Sequence, residues 1–295
     1  MPKPCGKMNL EKHLLELIRL ASTDLPADVE ARLKARYELE DNPSARLMME
    51  SILTNVDLAR RRSLPICQDT GTPLFYIRHP AGVKRRDIRE QVLGAVGEAT
   101  RLGFLRPNAV HPLSGVNSGN NIGDDFFPYT SFEESEENSF TIDLVLKGGG
   151  SENVGAQYSL PDSRLGAGRD LEGVRRAVLD AVFQAQGKGC PPGVLGVAIG
   201  GDRSASYAAS KKVFIRHLDE GNPDPTLASL ERQLTDQANQ LGIGPIGLGG
   251  RTTVLGVRIT ALYRLPASFF VSVSYMCWAY RRWRLQVEGK HAAFS

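Results

Sequence analysis

The first third of the chain carries apolar residues at helical spacing. Leu10, Leu14 and Ile18, for example, fall on one face of a helix. The segment Asn42-Pro43-Ser44 interrupts the pattern and predicts a break between two helices. The helices predicted in this part lie around 10–18, 27–40, 45–60 and 88–99.

Residues 103–138 lose this periodicity and are rich in Gly, Asn, Pro and acidic residues. A long stretch without secondary structure is uncommon inside a compact domain, so we expect a functional loop here. Phe140, Ile142 and Leu144 then alternate with polar residues, which predicts a strand. After that strand, helices are predicted over about 171–186, 204–216 and 227–241, and strands over 194–199, 254–259 and 269–274.

Helices that alternate with strands are typical of an α/β (mixed α+β) fold, here with a helical N-terminal segment. The sequence contains no internal repeat and no convincing linker, so we expect one domain over residues 1–295. The tail after about residue 285 is left unassigned.

Composition narrows the function classes. The chain is 41% apolar and 23% charged, a globular balance, and 36 basic residues against 33 acidic ones give a net charge of only +3. No basic run is interleaved with aromatic residues, so nucleic acid is not an expected partner. Arg60–Arg62 and Lys84–Arg86 are interpreted as solvated helix ends. The sequence has no apolar run of about 20 residues and no secretory signal, so we expect a cytoplasmic protein that does not enter a membrane.

Three of the four cysteines stand at predicted ends of helices or strands, where side chains from distant segments can converge. They are Cys67 in PICQDTG, Cys190 in GKGCPPG and Cys277 in SYMCWAYRR, whereas Cys5 has no such setting. Position alone leaves two interpretations open, buried free thiols or metal ligands. Three thiolates on a four-iron cluster would leave one iron open as a Lewis acid.

Two glycine-rich segments are candidates for substrate contacts. The first, Gly148–Gly150, lets backbone N–H groups approach an anion, although a plain glycine turn explains it as well. The second, Gly242–Gly250, contains a formal G-x-G-x-x-G. It follows a helix and precedes a strand, which is the wrong order for a dinucleotide fingerprint. We interpret it as a glycine stop at the C-terminus of a helix, followed by a substrate-facing loop.

Several polar residues accompany these motifs. Gln68 and Asp69 directly follow Cys67, and Arg106 could pair with a dicarboxylate in bidentate fashion, although a surface arginine is an equal possibility. Glu152 is either an acid/base group or a cap, and Lys147 is interpreted as a strand-end charge. The five histidines form no sequence cluster, which argues against a histidine-ligated metal. The loop residues without an assigned role are His111, Asn117, Asn120 and Asn121.

Taken together, these segments resemble the α subunit, or N-terminal domain, of class I iron–sulfur fumarases and the related L-tartrate dehydratases. The resemblance covers about residues 10–285. QDTG, GGGSEN and CPP at these relative positions are its most specific parts. The motifs that carry it occur in the order PICQDTG, RPNAV, NSGNNIGDD, KGGGSEN, GCPPGVLGVAIGGD, NQLGIGPIGLGGRTT and CWAYRR.

The resemblance implies a [4Fe-4S] cluster held by Cys67, Cys190 and Cys277, with helices and strands arranged around the cluster site. It implies that Gln68 and Asp69 contact the hydroxy-acid substrate and take part in catalysis. It also assigns carboxylate binding to Arg106 and a backbone contact to Gly149.

The expected reaction is the reversible hydration of fumarate to (S)-malate, a step of the tricarboxylic acid cycle. L(+)-tartrate dehydration is the alternative within the class, because VSVSYMCWAYRRWRLQV is closer to the tartrate enzymes whereas KGGGSENV is fumarase-like. A non-catalytic iron–sulfur sensor of oxygen or iron and an inactive assembly subunit are the alternatives outside it. In single-chain relatives a C-terminal domain supplies further arginines, a lysine and the proposed base. Since the sequence stops soon after CWAYRR, we expect a separate β subunit and a hetero-oligomer.

Overall fold

The computed structural model describes residues 9–289 and 291–295. The helices are α1 Glu11–Thr23, α2 Ala27–Leu39, α3 Pro43–Arg62, α4 Arg85–Arg101, α5 Gly149–Asn153, α6 Leu171–Ala185, α7 Arg203–Lys212 and α8 Pro225–Gln240. The strands are β1 Thr72–Pro80, β2 Tyr129–Ser135, β3 Ser139–Lys147, β4 Ala156–Ser159, β5 Gly193–Gly200, β6 Val254–Leu262, β7 Phe270–Met276, β8 Arg282–Glu288 and β9 His291–Phe294.

The chain divides into two compact units. The first comprises 1–26, 55–147 and 281–295, and the second comprises 27–54 and 148–280. The chain passes from one unit to the other several times, so they do not divide at a single linker. The single domain expected over 1–295 stays a prediction.

The first unit is built on a five-stranded sheet in the order β2-β1-β3-β8-β9. Strands β1 and β2 are parallel and the other pairs are antiparallel. The buried core joins α1 and α4 to alternate side chains of the sheet, including Phe75, Ile77 and Leu144. This is the pattern expected of a sheet whose apolar face is covered by amphipathic helices.

The second unit is built on a four-stranded sheet in the order β4-β7-β5-β6. Every residue of β5 is buried, which fits a central strand that is covered on both faces. Helices α6 and α8 contribute to the apolar core beside Leu195 and Val197. Helix α7 instead meets β7 through serines: Ser272 Oγ donates to Ser206 Oγ at 2.8 Å, and the hydroxyls of Ser210 and Ser274 lie 2.7 Å apart.

The mixed α/β class and the helical N-terminal segment are confirmed, and every predicted helix and strand is present. The expectation of an unstructured loop over 103–138 was wrong in part, because 129–135 form β2. This strand lies at the edge of the sheet and carries half-exposed and acidic side chains, so it lacks the apolar alternation that marks β3. The unassigned tail also has structure, since it completes β8 and forms β9. Among the described residues, no helix combines the length and apolarity needed to cross a membrane.

Glu231 on α8 organises the polar interior of the second unit. It is 5% exposed, and its carboxylate pairs with Arg216 at 2.8 Å and Arg258 at 3.1 Å. It also accepts hydrogen bonds from the Asn222 side chain and the Ile259 N–H, both at 2.7 Å. One buried carboxylate therefore joins α8 to β6 and to the segment after α7.

We expect Glu231→Ala to destabilise the fold by about 3–5 kcal/mol, because it leaves buried Arg258 and half-buried Arg216 without their counter-charge. Urea denaturation followed by circular dichroism measures this change. Glu172→Ala is the matched control, since Glu172 also pairs with two arginines, Arg175 and Arg176, but lies on the surface. Equal losses in the two variants would contradict the role given to Glu231.

Candidate active site

In the first unit, Cys67 lies in the loop that joins α3 to β1. Its side chain is half-buried, and Gln68 beside it is exposed. The Asp69 carboxylate accepts a hydrogen bond from the Gly71 N–H at 3.1 Å. Gly71 has a φ of +79°, so the turn that carries Asp69 into β1 uses a conformation that favours glycine.

Thr70 joins this loop to the segment that carries Arg106. The Thr70 side chain is 1% exposed, and its hydroxyl oxygen accepts hydrogen bonds from the Arg106 N–H at 3.0 Å and the Asn108 side-chain amide at 3.2 Å. Asn121 supports the same segment: its amide donates to the Arg106 carbonyl at 2.8 Å, and its Oδ1 accepts from the Asn108 N–H at 2.7 Å. QDTG, RPNAV and NSGNN thus form one hydrogen-bonded assembly.

The guanidinium of Arg106 is exposed, and no ion pair to it is present among the described residues. The backbone of Arg106 is fixed by its hydrogen bond to Thr70, the residue that directly follows Gln68 and Asp69 in the sequence. The fixed backbone and exposed cation suit binding of a soluble carboxylate. Other polar residues of the loop, such as Asn117, fold it upon itself: Asn117 bonds the Gly119 N–H at 2.8 Å and the Pro107 carbonyl at 2.9 Å.

In the second unit, a backbone hydrogen bond joins the two segments that carry Cys190 and Cys277. The Trp278 N–H donates to the Cys190 carbonyl at 3.1 Å. Cys190 is exposed, and its backbone has a left-handed conformation with φ +53° and ψ +60°. Cys277 is half-buried. The two thiols, more than 80 residues apart in sequence, are therefore on adjacent backbone segments.

Tyr275 lies under this pair of segments. Burial raises the pKa of its phenol, and the charges of Cys277 and Cys190 act in the same direction. The ring also explains two glycines that flank Cys190. A Cβ at Gly193 would lie 2.3 Å from the Tyr275 ring, and one at Gly189 would lie 2.7 Å from it. Only glycine lets the Cys190 segment pass this close to the ring.

The triple glycine begins a short helix rather than a plain turn. Gly148 is the N-cap of α5, and Gly149 and Gly150 are exposed in its first turn. Glu152 forms an ion pair with Lys211, a partner that sequence reasoning missed because it lies 59 residues away. Burial, followed by the charge of Glu152, raises the pKa of neighbouring Tyr207.

The remaining candidates have simpler roles. Helix α8 ends before Gly242, which has a φ of +65°, so the predicted helix stop is confirmed, whereas the substrate-facing orientation of the loop that follows it stays a prediction. Lys147 is the last residue of β3, as expected of a strand-end charge, yet it is only 2% exposed. Cys5 lies outside the described residues.

Among the described residues, one group of potential metal ligands includes a histidine, a placement that the spacing of the five histidines did not indicate. Ligand atoms of Asp28, His217 and Asp219 lie within 4.8 Å of one another. Asp28 also accepts the Leu218 N–H at 2.7 Å, so this group holds α2 against the segment after α7. No residue of the group belongs to the motifs described above.

Comparison with known proteins places the chain in a family. A family model described as "Fumarate hydratase (Fumerase)" matches residues 11–286, and the chain belongs to this family of hydro-lyases, which includes fumarate hydratases and L-tartrate dehydratase α subunits.

Three relatives illustrate the range. A putative class I fumarate hydratase of Geobacillus stearothermophilus is 46% identical over 283 residues, which cover 95% of this chain but 55% of the relative. A putative L(+)-tartrate dehydratase subunit alpha of Methanocaldococcus jannaschii is 35% identical over 93% of this chain and 96% of the relative. The L(+)-tartrate dehydratase subunit alpha of Escherichia coli K12 is 33% identical over 91% of this chain and 87% of the relative. The chain thus spans about half the length of the first relative and nearly all of the second.

We expect Gly193→Ala to destabilise the protein by about 1–3 kcal/mol, because the added methyl group would overlap the buried Tyr275 ring. Gly221→Ala is the matched control, since its Cβ would meet nothing within 4 Å. Thermal denaturation of both variants measures the effect. A Gly193→Ala protein as stable as the control would show that the ring does not constrain this segment.

We expect Thr70→Val to loosen the segment that carries Arg106 and to cost about 1–3 kcal/mol, since two donors lose their acceptor. Thr70→Ser keeps the hydroxyl and should behave like the unmodified protein. Limited proteolysis within residues 107–120, together with denaturation, measures both effects. Identical cleavage rates in the valine and serine variants would refute the positioning role of Thr70.

Proposed function

We propose that the chain is the cluster-bearing α-type subunit of a class I fumarate hydratase, which interconverts fumarate and (S)-malate in the cytosol. Membership of the fumarase family over residues 11–286 carries this proposal. The 46% identity to a putative class I fumarate hydratase favours fumarate and malate as the substrate pair.

The cysteines fit the donor set that a [4Fe-4S] cluster requires. Cys67, Cys190 and Cys277 are cysteine thiols that are half-buried or exposed. Cys67 lies in the loop between α3 and β1, Cys190 lies shortly before β5, and Cys277 directly follows β7. Thiolates are the ligands that iron–sulfur clusters use. The backbone bond between the Cys190 and Cys277 segments supports their action as a pair. We therefore assign the three cysteines as the ligands of a cluster with one iron free of protein ligands.

Such an iron supplies a Lewis acid that polarises the hydroxyl group of malate. The chain's own residues hold the substrate for this chemistry. The Arg106 guanidinium would pair with one carboxylate through its planar fork, and the Gly149 N–H would bond a carboxylate oxygen. Gln68 and Asp69 would contact the hydroxyl end of the substrate, with Asp69 orienting the hydroxyl or transferring its proton.

The abstracting base and a second set of carboxylate contacts are assigned to a β subunit, in a hetero-oligomer. The names of the tartrate dehydratase relatives, both "subunit alpha", support this division. The part of the Geobacillus relative outside the matched region would play the same role within one chain.

L(+)-tartrate dehydration is the second candidate. It is favoured by the relatives that this chain matches over 96% and 87% of their own length. Both reactions remove water from a hydroxy diacid after loss of a carbon-bound proton, so the residues described above serve either substrate.

The test is anaerobic co-expression with a β-type chain, followed by iron analysis and assays on malate, fumarate and both tartrate enantiomers. We expect about four irons per chain and turnover of malate. Replacement of Cys67, Cys190 or Cys277 by Ser should abolish the cluster, because each removes one thiolate ligand. Cys5→Ser is the control and should retain it.

Other outcomes identify the competing functions. Turnover of tartrate alone would establish the second candidate. A cluster without turnover of any diacid would indicate an iron–sulfur sensor, and an iron-free complex would indicate an assembly subunit. Loss of the cluster in Cys5→Ser with retention in Cys190→Ser would overturn the ligand assignment.

A further inference from the structure

Arg281 is a buried cation without a counter-charge among the described residues. The residue is 1% exposed, and its Nε and Nη1 atoms are buried without a hydrogen-bond partner. Two other arginines make the contrast clear. Arg258, also buried, is paired with Glu231 at 3.1 Å. Arg284 lies in β8, three residues after Arg281, and is paired with Asp143 at 2.7 Å.

Burial of a guanidinium without a counter-charge or hydrogen-bond partners is unfavourable in free energy. Removal of a charge from water costs several kcal/mol unless an opposite charge and hydrogen bonds replace the hydration. No carboxylate of the described residues forms an ion pair with Arg281, so no neighbouring side chain balances its charge.

The topology of the first unit places Arg281 at a particular end of its sheet. Strand β1 starts at Thr72, which pairs with Lys147 at the end of β3. Strand β8 starts at Arg282, which pairs with Val145, and the Leu146 N–H donates to the Arg281 carbonyl at 3.0 Å. The starts of β1 and β8 thus flank the end of β3. Two strand spacings, about 10 Å, separate them.

The loop that carries Cys67 enters the sheet at this same end, immediately before β1. Lys147, 2% exposed, and Arg282, 5% exposed, add further positive charge there. In the sequence, Arg281 also follows Cys277 by four residues. The most buried arginine of the unit is therefore at the sheet end from which one proposed ligand comes.

We propose that Arg281 is a positioning residue for the [4Fe-4S] cluster, compensating the negative charge of the cluster and its thiolates with a buried guanidinium. This inference rests on the function proposed above. A cluster with three thiolate ligands is anionic, and both net charge and hydrogen bonds to sulfur set its properties. The substrate carboxylate is a poorer match, because a freely diffusing diacid needs an accessible cation such as Arg106 and Arg281 is enclosed.

Arg281 is expected to lower the stability of the cluster-free protein and to stabilise the cluster in the loaded protein. Arg281→Met removes the charge with little change of volume. Without a cluster, the variant should be at least as stable as the unmodified chain, because a buried unpaired charge is lost. With a cluster, iron should pass to a ferrous chelator about tenfold faster under anaerobic conditions, the usual scale for loss of a supporting group. The reduction potential of the cluster should shift to more negative values.

Two further variants control the experiment. Arg281→Lys keeps the charge without the planar fork, so its potential should lie between those of the unmodified protein and Arg281→Met. It also serves if Arg281→Met fails to fold. Arg284→Met removes the same charge from β8 three residues along the chain, where Asp143 is the partner, and should leave iron release unchanged.

The outcomes separate this inference from the function on which it rests. A full cluster in Arg281→Met, with unaltered iron release and potential, would overturn the role of Arg281 and leave the proposed function intact. Equal destabilisation of the cluster-free and loaded forms would show a purely structural arginine and would likewise overturn it. A native complex that assembles no cluster would overturn both.

Discussion

The close approach of the Cys190 segment to the Tyr275 ring is the constraint on which the arrangement of the Cys190 and Cys277 segments depends. Tyr275 stands on β7 in the middle of the apolar core, so its ring cannot move aside without the loss of that core. Glycines at 189 and 193 let the backbone pass over the ring, and the Cys190 carbonyl then receives the Trp278 N–H. The positions of the Cys190 and Cys277 segments therefore follow from core packing.

In the first unit a hydroxyl has the corresponding role. Thr70 is buried next to the Cys67 loop, and two donors from the Arg106 segment converge on its oxygen. The loop over residues 107–120 is exposed and held by its own short-range hydrogen bonds, so Thr70 and Asn121 determine where the segment begins and ends. The exposed side chain of Arg106, a candidate for substrate binding, is thereby carried on a backbone that buried Thr70 and Asn121 hold in place.

Much of this arrangement could be predicted from the sequence. Helical periodicity located α1 to α4, and alternation located β3, because each buries a single apolar face. Strand β2 was missed because an edge strand with acidic side chains has no such face. Strand β8 does alternate, with apolar residues at 283, 285 and 287, so the rule that located β3 could have located it as well. Within the site, motif order indicated the cysteines, Gln68, Asp69 and Arg106. The Glu152–Lys211 pair and the Thr70 contacts depend on which distant segments fold together, and no local pattern encodes them.

The interleaving of the two units has a consequence for synthesis of the chain. Strands β8 and β9 complete the first unit's sheet, yet they come from 281–295, which are synthesised only after the whole of the second unit. Until then β3 presents an unpaired edge, and the α1 and α4 core lacks Leu285 and Val287. The first unit is thus begun before the second unit and completed after it, and an elongating chain must protect that edge from other strands while the second unit is synthesised. Premature termination shortly before residue 281 would leave a nearly complete second unit beside an open, aggregation-prone sheet.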